Sequence, residues 1–251
     1  MYTDTHCHVL SMEYDDILPI INNLKQNNIK RIIVNGYDYK SNLEVLDLIE
    51  RYENVYGALG VHPNNLFDGI KSSLELIEKN INHPKIVAIG EIGLDYHYEN
   101  NRAEQIKNLS EFLNLAKKYH KPVIIHNRDS IADLLSILKK YQLKGIIHCF
   151  SGSYEVAQEL IKLGYSLGIN GIVTFKNSNL PSTLHKIPIE KIFIETDCPY
   201  IAPEPFRKVK NEPKYLNVIA KKVAAIYNIS PEKLAEILEQ NYLDFFDIRQ
   251  G

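Results

Sequence analysis

The feature that most constrains the fold of this chain is an eightfold recurrence: a short apolar run rich in Ile and Val, then a longer amphipathic stretch. The runs are Tyr2–His6, Arg31–Asn35, Val55–Gly60, Ile86–Glu91, Pro122–His126, Gly145–His148, Tyr165–Asn170 and Ile192–Asp197. Several, such as Ile86-Val87-Ala88-Ile89, are apolar at every position, as parallel strands covered on both faces require. Between them, Asp15–Asn27, Ser41–Tyr52, Ser72–Asn80, Arg102–His120, Ser130–Tyr141 and Tyr154–Leu163 follow a period of about 3.6 residues, with Lys, Glu and Asn on the outer face. The segment after the seventh run, Leu180–Lys186, is short. Two more helices are expected at Pro213–Tyr227 and Pro231–Phe246, the latter opened by Ser230 as N-cap and Pro231 at the first helical position.

Strand–helix units of roughly 25–35 residues each predict an α/β fold, a (β/α)8 TIM barrel with extra C-terminal helices, rather than an open doubly wound sheet. An open sheet of that kind carries a Gly-rich phosphate loop after its first strand. Here the first strand runs into Thr5-His6-Cys7-His8 instead. A length of 251 residues suits one domain, residues 1–251, and no linker or low-complexity segment interrupts it. The 45% hydrophobic and 24% charged content excludes disordered and fibrous classes. No apolar run approaches the roughly 18–20 residues that span a bilayer, and Met1-Tyr2-Thr3-Asp4 lacks the basic and apolar regions of a signal peptide. A cytoplasmic location without membrane contact is therefore expected. A net charge of −2 means that any nucleic acid must be met by a local patch rather than a global field. No heptad seam is visible, so a monomer without an obligate protein partner is the expectation.

The chemistry gathers at the ends of the predicted strands, where barrel enzymes place it. The first ends in Asp4-Thr5-His6-Cys7-His8, the third in Gly60-Val61-His62-Pro63, and the fourth in Gly90-Glu91-Ile92-Gly93-Leu94-Asp95. The fifth ends in His126-Asn127-Arg128, the sixth in His148-Cys149-Phe150 and the eighth in Glu195-Thr196-Asp197. His6 and His8, two apart on an extended chain, share a face and can hold one ion together, although such a pair alone also suits two hydrogen-bonded surface histidines. With His126 and His148 at later strand ends, metal is the better account. Glu91 closes a very apolar strand, where a carboxylate is costly unless it is paired or ligates. Asp197 holds the equivalent place on the eighth strand; a buried ion pair with Arg or Lys is the alternative for both. Cys7, Cys149 and Cys198 are odd in number and far apart, against a disulfide framework. Strand alternation turns them outward as small buried hydrophobes. The loop Pro199–Pro213 carries four prolines with Arg207, Lys208 and Lys210, and long loops after barrel strands tend to belong to the active site.

These segments, with His148-Cys149-Phe150-Ser151-Gly152, Glu195-Thr196-Asp197-Cys198-Pro199-Tyr200 and Arg207 followed by Asn211-Glu212-Pro213, resemble the TatD family of metal-dependent deoxyribonucleases over nearly the whole chain. The resemblance implies two divalent metal ions. One would be held by His6, His8, Glu91 and Asp197, the other by Glu91, His126 and His148, with Glu91 bridging. Glu91 and Asp197 would be the catalytic carboxylates, Asp197 orienting the attacking water and taking its proton. Mg2+ or Mn2+ would serve activity, and four imidazoles also suit Zn2+, Ni2+ or Fe2+. The implied substrate is DNA, cleaved from single-stranded 3′ ends by phosphodiester hydrolysis. The same site also suits an ester, a lactone or a D-aminoacyl-tRNA linkage, because fold does not settle substrate. His62 is a candidate for substrate phosphate or for a hydrogen bond to a ligand. Arg128 is a candidate for phosphate or for an ion pair with Asp129 or Glu195, and Arg207 for phosphate. Asp4, Asp95 and Glu195 are expected behind the ligands, fixing histidine tautomers. Tyr96, Tyr98, Phe175 and Tyr200 stand near strand ends as packing or as surfaces for bases.

Overall fold

Eight parallel strands follow one another around a single, nearly closed sheet in sequence order, so the expected (β/α)8 barrel is the fold. The computed structural model describes residues 1–66, 70–98 and 101–246. The strands are β1 (Tyr2–Cys7), β2 (Ile29–Asn35), β3 (Val55–Leu59), β4 (Ile86–Asp95), β5 (Val123–Arg128), β6 (Gly145–Ile147), β7 (Tyr165–Ile169) and β8 (Ile192–Ile194). Helices α1 (Leu18–Asn22), α2 (Tyr39–Arg51), α3 (Lys71–Asn80), α4 (Arg102–Tyr119), α5 (Ile131–Leu138), α6 (Tyr154–Lys162) and α7 (Leu180–Leu184) intervene. The two further C-terminal helices are α8 (Leu216–Ile226) and α9 (Pro231–Phe246). No helix among the described residues is long and apolar enough to cross a membrane.

Within the barrel the chain packs as two compact units. One comprises Met1–Val34, Cys149–Gln158 and Ser166–Gly251, the other Asn35–His148 and Glu159–Tyr165. In the second unit β4 is buried along its whole length, as its apolar run requires. Asp38 caps α2 by accepting the Ser41 N–H at 2.7 Å, and Asn101 caps α4 by accepting from Glu104 at 3.2 Å. Gly93 pairs in register with His126, and a Cβ there would meet the His126 carbonyl oxygen at 2.0 Å; its φ of +154° also disfavours any side chain. That glycine lets β4 and β5 close on each other where β5 delivers His126.

The first helix departs from its sequence period. Asp15–Asn27 is reduced to the five residues of α1, followed by turns to Asn28, which sits at φ 62°. Ile17 at the N-cap offers no side-chain acceptor, and Asn22, Asn23, Asn27 and Asn28 compete for the backbone with their own amides, as when the Asn27 Nδ2 donates to the Asn23 carbonyl. Amphipathic spacing alone does not register that competition.

In the first unit, at the N-terminal ends of β1 and β2, a buried Arg31 donates bidentately to Glu239 of α9 at 2.9 Å, donates to Thr3 Oγ1, and lies 4.2 Å over the Tyr242 ring. Burial alone would raise the Glu239 carboxyl, but Arg31 and Lys30 outweigh it and hold the carboxyl below its ordinary value. The Glu239 side chain is 22% exposed against 9% for Arg31, so its removal strands a mostly buried cation. Glu239→Ala should cost about 3 kcal/mol, which lowers Tm by roughly 6–10 °C in a chain of this size. Because the folded carboxyl titrates lower than the unfolded one, this contribution is present above pH about 4.3 and is lost as pH falls further. Thermal melts of both proteins from neutral to acid pH check it. An unchanged melt would place the pair among solvated ones that contribute almost nothing.

Candidate metal centre

In the first unit, β1 carries His6 at its end and His8 just beyond. Their Nε2 atoms stand 3.2 Å apart with the rings edge-on at 87°. Asp197 Oδ1 lies 3.5 Å from the first nitrogen and 3.8 Å from the second, and all three side chains are buried. Asp197 lies three residues past the end of β8. Its N–H donates to the His6 carbonyl, and the His8 N–H donates to the Cys198 carbonyl, at 2.9 and 2.8 Å. Asp197 adopts the left-handed φ of 56°, a conformation costing a non-glycine residue about 1 kcal/mol and frequent where a site over-determines the backbone. Asp4 reinforces the same junction by accepting the Thr196 N–H at 2.9 Å and the Thr196 hydroxyl at 2.5 Å. Burial pushes the Asp4 carboxyl up to about 7, against those hydrogen bonds.

In the second unit, Glu91 on β4 is buried. Its Oε1 lies 2.9 Å from His148 Nε2, 3.0 Å from His126 Nδ1 and 3.6 Å from His62 Nε2. His126 Nδ1 and His148 Nε2 are 3.1 Å apart. Burial alone would raise the Glu91 carboxyl, but His148, His62 and His126 together hold it well below its ordinary value. Burial drives the His62 imidazole down to about 3 in spite of Glu91. Burial also opposes charge on His126, but Asp95 and Glu91 prevail and raise it. Asp95 Oδ2 lies 3.3 Å from His126 Nε2 and accepts from Asn64 Nδ2 at 2.9 Å. Gln105 of α4 brackets the Asp95 backbone, accepting its N–H at 2.8 Å and donating to its carbonyl at 2.9 Å.

Both sets have the composition and spacing of ligands. Two ligands of one ion, each at roughly 2.0–2.2 Å, stand roughly 2.8–3.6 Å apart at octahedral to tetrahedral angles. Five of the six separations, 2.9, 3.0, 3.1, 3.2 and 3.5 Å, fall inside that range, and the sixth, 3.8 Å, just outside. The proton inventory is compatible with this. With the His126 Nε2–H donating to Asp95, its Nδ1 meets the Glu91 carboxylate at 3.0 Å either through a second proton, which the two carboxylates favour, or through a cation in that proton's place. By donor type and spacing the residues fit a divalent metal.

The other predicted residues stand as follows. Glu195 is buried, and its Oε1 accepts the Cys149 N–H at 2.6 Å, which fixes the chain just after His148. His62 is partly accessible beside His126, their ring centroids 4.3 Å apart. Arg128 is exposed and lies 5.6 Å from the Tyr98 ring centroid, while Asp129 pairs with His97 at 3.0 Å. Arg207 is exposed and stacks 3.8 Å over Phe175. Tyr96 donates to Asp133, and Tyr200 lies edge-on to His8 with centroids 6.1 Å apart. Cys7 and Cys198 are buried as expected, but Cys149 is only half-buried. It lies past the end of β6 with φ 51°, where strand alternation no longer applies. Sequence reasoning passed over Asn64, Gln105 and Thr196, which brace Asp95 and Asp4. It also left without a role Asn211, whose Nδ2 donates to the carbonyls of Thr196 and Tyr200.

The TatD related DNase family matches residues 3–247. The uncharacterized metal-dependent hydrolase YabD of Bacillus subtilis is 39% identical over 99% of this chain and 100% of its own length. YcfH of Escherichia coli, named in the same words, is 30% identical over 98% of this chain and 95% of its own. Among solved structures, the TatD homolog YJJV of Escherichia coli superposes with a TM-score of 0.91 at 29% identity, over 99% of this chain and 98% of that one. A TatD family hydrolase of Entamoeba histolytica gives 0.85 at 26% identity, over 97% of each chain.

Proposed function

Because the chain belongs to the TatD family of metal-dependent hydrolases, we propose that it is a deoxyribonuclease removing nucleotides from single-stranded 3′ ends with two divalent metal ions. The observation that carries this reading is the pair of nitrogen–nitrogen–carboxylate sets, the buried His6–His8–Asp197 and the set of His126, His148 and Glu91, in which His126 is half-buried, with separations at or close to ligand spacing. In this reading His6, His8 and Asp197 would hold one ion and His126 and His148 the other, with Glu91 the carboxylate that would serve both. Ions held there would supply a water deprotonated near neutral pH and positive charge for the scissile phosphate.

The chain's own residues then divide the work. Asp197 holds the attacking water in line and accepts its proton. Asp95 accepts the Nε2–H of His126 and so fixes the tautomer whose Nδ1 faces inward. His62, driven toward its neutral form and within reach of Glu91, keeps part of its side chain accessible to a phosphate oxygen. The guanidinium groups of Arg128 and Arg207 are exposed and carry the planar fork that phosphate accepts.

The test is a 5′-labelled single-stranded oligonucleotide incubated with chelated protein to which Mg2+, Mn2+ or Zn2+ is returned. The expected result is a metal-dependent ladder shortening from the 3′ end. An oligonucleotide left intact under every metal, with turnover of a small ester, a lactone or a D-aminoacyl-tRNA, would overturn the nuclease reading and leave the hydrolase.

A further inference from the structure

The loop Pro199–Pro213 places large apolar side chains in water on a backbone that is firmly held. Tyr200 is 52% exposed, Phe206 37% and Val209 47%, three within ten residues. The loop returns to its own start. The Asn211 N–H donates to the Pro199 carbonyl, its Nδ2 ties Thr196 to Tyr200, and the Tyr14 hydroxyl closes on the Asn211 carbonyl at 2.6 Å. Isolated exposed aromatics need no explanation, but a cluster on a pinned loop is a preorganised surface.

Cations lie over neighbouring rings, while Phe206 rests against Tyr215 with ring centroids 4.7 Å apart. The Arg207 guanidinium lies 3.8 Å over Phe175, which orients the fork and leaves its outer face to solvent, and Lys210 lies 4.8 Å over Tyr14. The loop carries Arg207, Lys208 and Lys210 against Glu204 and Glu212, so it is locally positive in a chain whose net charge is −2. Its inner end reaches the metal ligands, since the Tyr200 ring lies 6.1 Å from that of His8 and its N–H donates to the Asp197 carbonyl. Flat apolar faces alternating with a few cations suit a strand of unpaired bases, each with a π-face and one phosphate, better than a duplex whose bases are hidden.

We propose that Tyr200, Phe206 and the Arg207–Phe175 stack form a base-stacking track for single-stranded nucleic acid that leads to the His6–His8–Asp197 set. The inference rests on the nuclease reading above and adds how the strand is held. Stacking dominates over charge, so the salt dependence of binding is shallow. Two or three neutralised phosphates give a slope of about −1.5 to −2 in log K against log salt.

The experiment is an anisotropy titration of labelled dT12, and of an abasic strand of equal length, with the full chain in chelator. Wild type is compared with Phe206→Ala, Arg207→Ala and Arg207→Lys, each at an exposed position and each checked by its melt. Phe206→Ala and both Arg207 variants should weaken dT12 binding about 5–20-fold, Lys failing because it keeps the charge but not the planar stack. The abasic strand should bind wild type about as weakly as dT12 binds the variants. Equal binding of abasic strand and dT12, or full affinity in Arg207→Lys, would overturn the track in favour of plain phosphate contacts.

Turnover with metal restored separates this outcome from that of the nuclease reading. The KM of wild type should be lower for dT12 than for a dinucleotide, and the variants should lose that difference. Cleavage that keeps its length dependence in every variant removes the track and leaves the nuclease. The anisotropy pattern without cleavage of any phosphodiester removes the nuclease and leaves the track.

Discussion

Glu91→Gln should abolish hydrolysis, with a fall of more than about 10³ in kcat, and should strip the protein of much of its metal. The substitution keeps shape and volume in a buried position, so packing is nearly untouched. It removes the negative charge that His148, His126 and His62 share within 2.9–3.6 Å, leaving Asp95 as the carboxylate beside His126. A neutral amide cannot balance a dication in that surrounding, and it cannot be shared by two ions as a carboxylate can. Elemental analysis after gel filtration should read about two metal ions per chain in wild type and distinctly fewer in the variant. Thermal melts give a second, activity-independent readout. Metal at a hundredfold excess over Kd should stabilise wild type by about 2.7 kcal/mol per site, and Glu91→Gln should lose most of that increment. Metal-free, the variant should melt below wild type at neutral pH, because the histidines that lower the Glu91 carboxyl stabilise its charged form in the fold and the amide forgoes that contribution. A variant with full metal content and full activity would end the shared-carboxylate assignment.

Glu91 was legible in the sequence because a charge at the end of Ile86-Val87-Ala88-Ile89 contradicts its surroundings unless something there needs it. His6 and His8 were legible because extended chain has a two-residue repeat. Asp197 and His148 were named by resemblance and by rank among strand ends, yet neither lies on a strand. Ile194 and Ile147 end β8 and β6, and the chain then turns through left-handed residues at Asp197 and Cys149. A non-glycine residue at positive φ leaves no mark on composition or periodicity, which is why alternation misjudged Cys149. The braces were illegible for a different reason. Gln105 on α4 holds the Asp95 backbone from ten positions away, and Asn64 reaches the same carboxylate from the loop after β3. Such pairings depend on how helices lie against strands, which the pattern of either segment does not contain. The failure at α1 has the same character: spacing reports which face is apolar and is silent on how side-chain amides compete for the backbone.

Asp197→Asn separates holding a metal from moving a proton. The amide oxygen can still ligate beside His6 Nε2 and His8 Nε2, and the backbone that sets the residue depends on its N–H to the His6 carbonyl rather than on its side chain. Metal affinity should therefore weaken and be recovered at higher metal concentration. The amide cannot accept a proton, so with metal saturating, kcat should remain about 10²–10⁴-fold down, the range for losing a general base. KM for the oligonucleotide should move little, since the residue supplies no strand contact in this reading. Metal titrations of both proteins, followed by kcat and KM at the plateau, check this directly. Recovery of kcat to within about tenfold of wild type would lie below the range for a lost base and reduce Asp197 to a ligand. The proton would then have to pass to another acceptor near that set. Asp4 is a poor one, because it is fully buried and its oxygens already accept from the Thr196 N–H and hydroxyl. A low kcat at full metal occupancy would place the proton transfer on Asp197 itself, with His6 and His8 confined to holding the ion.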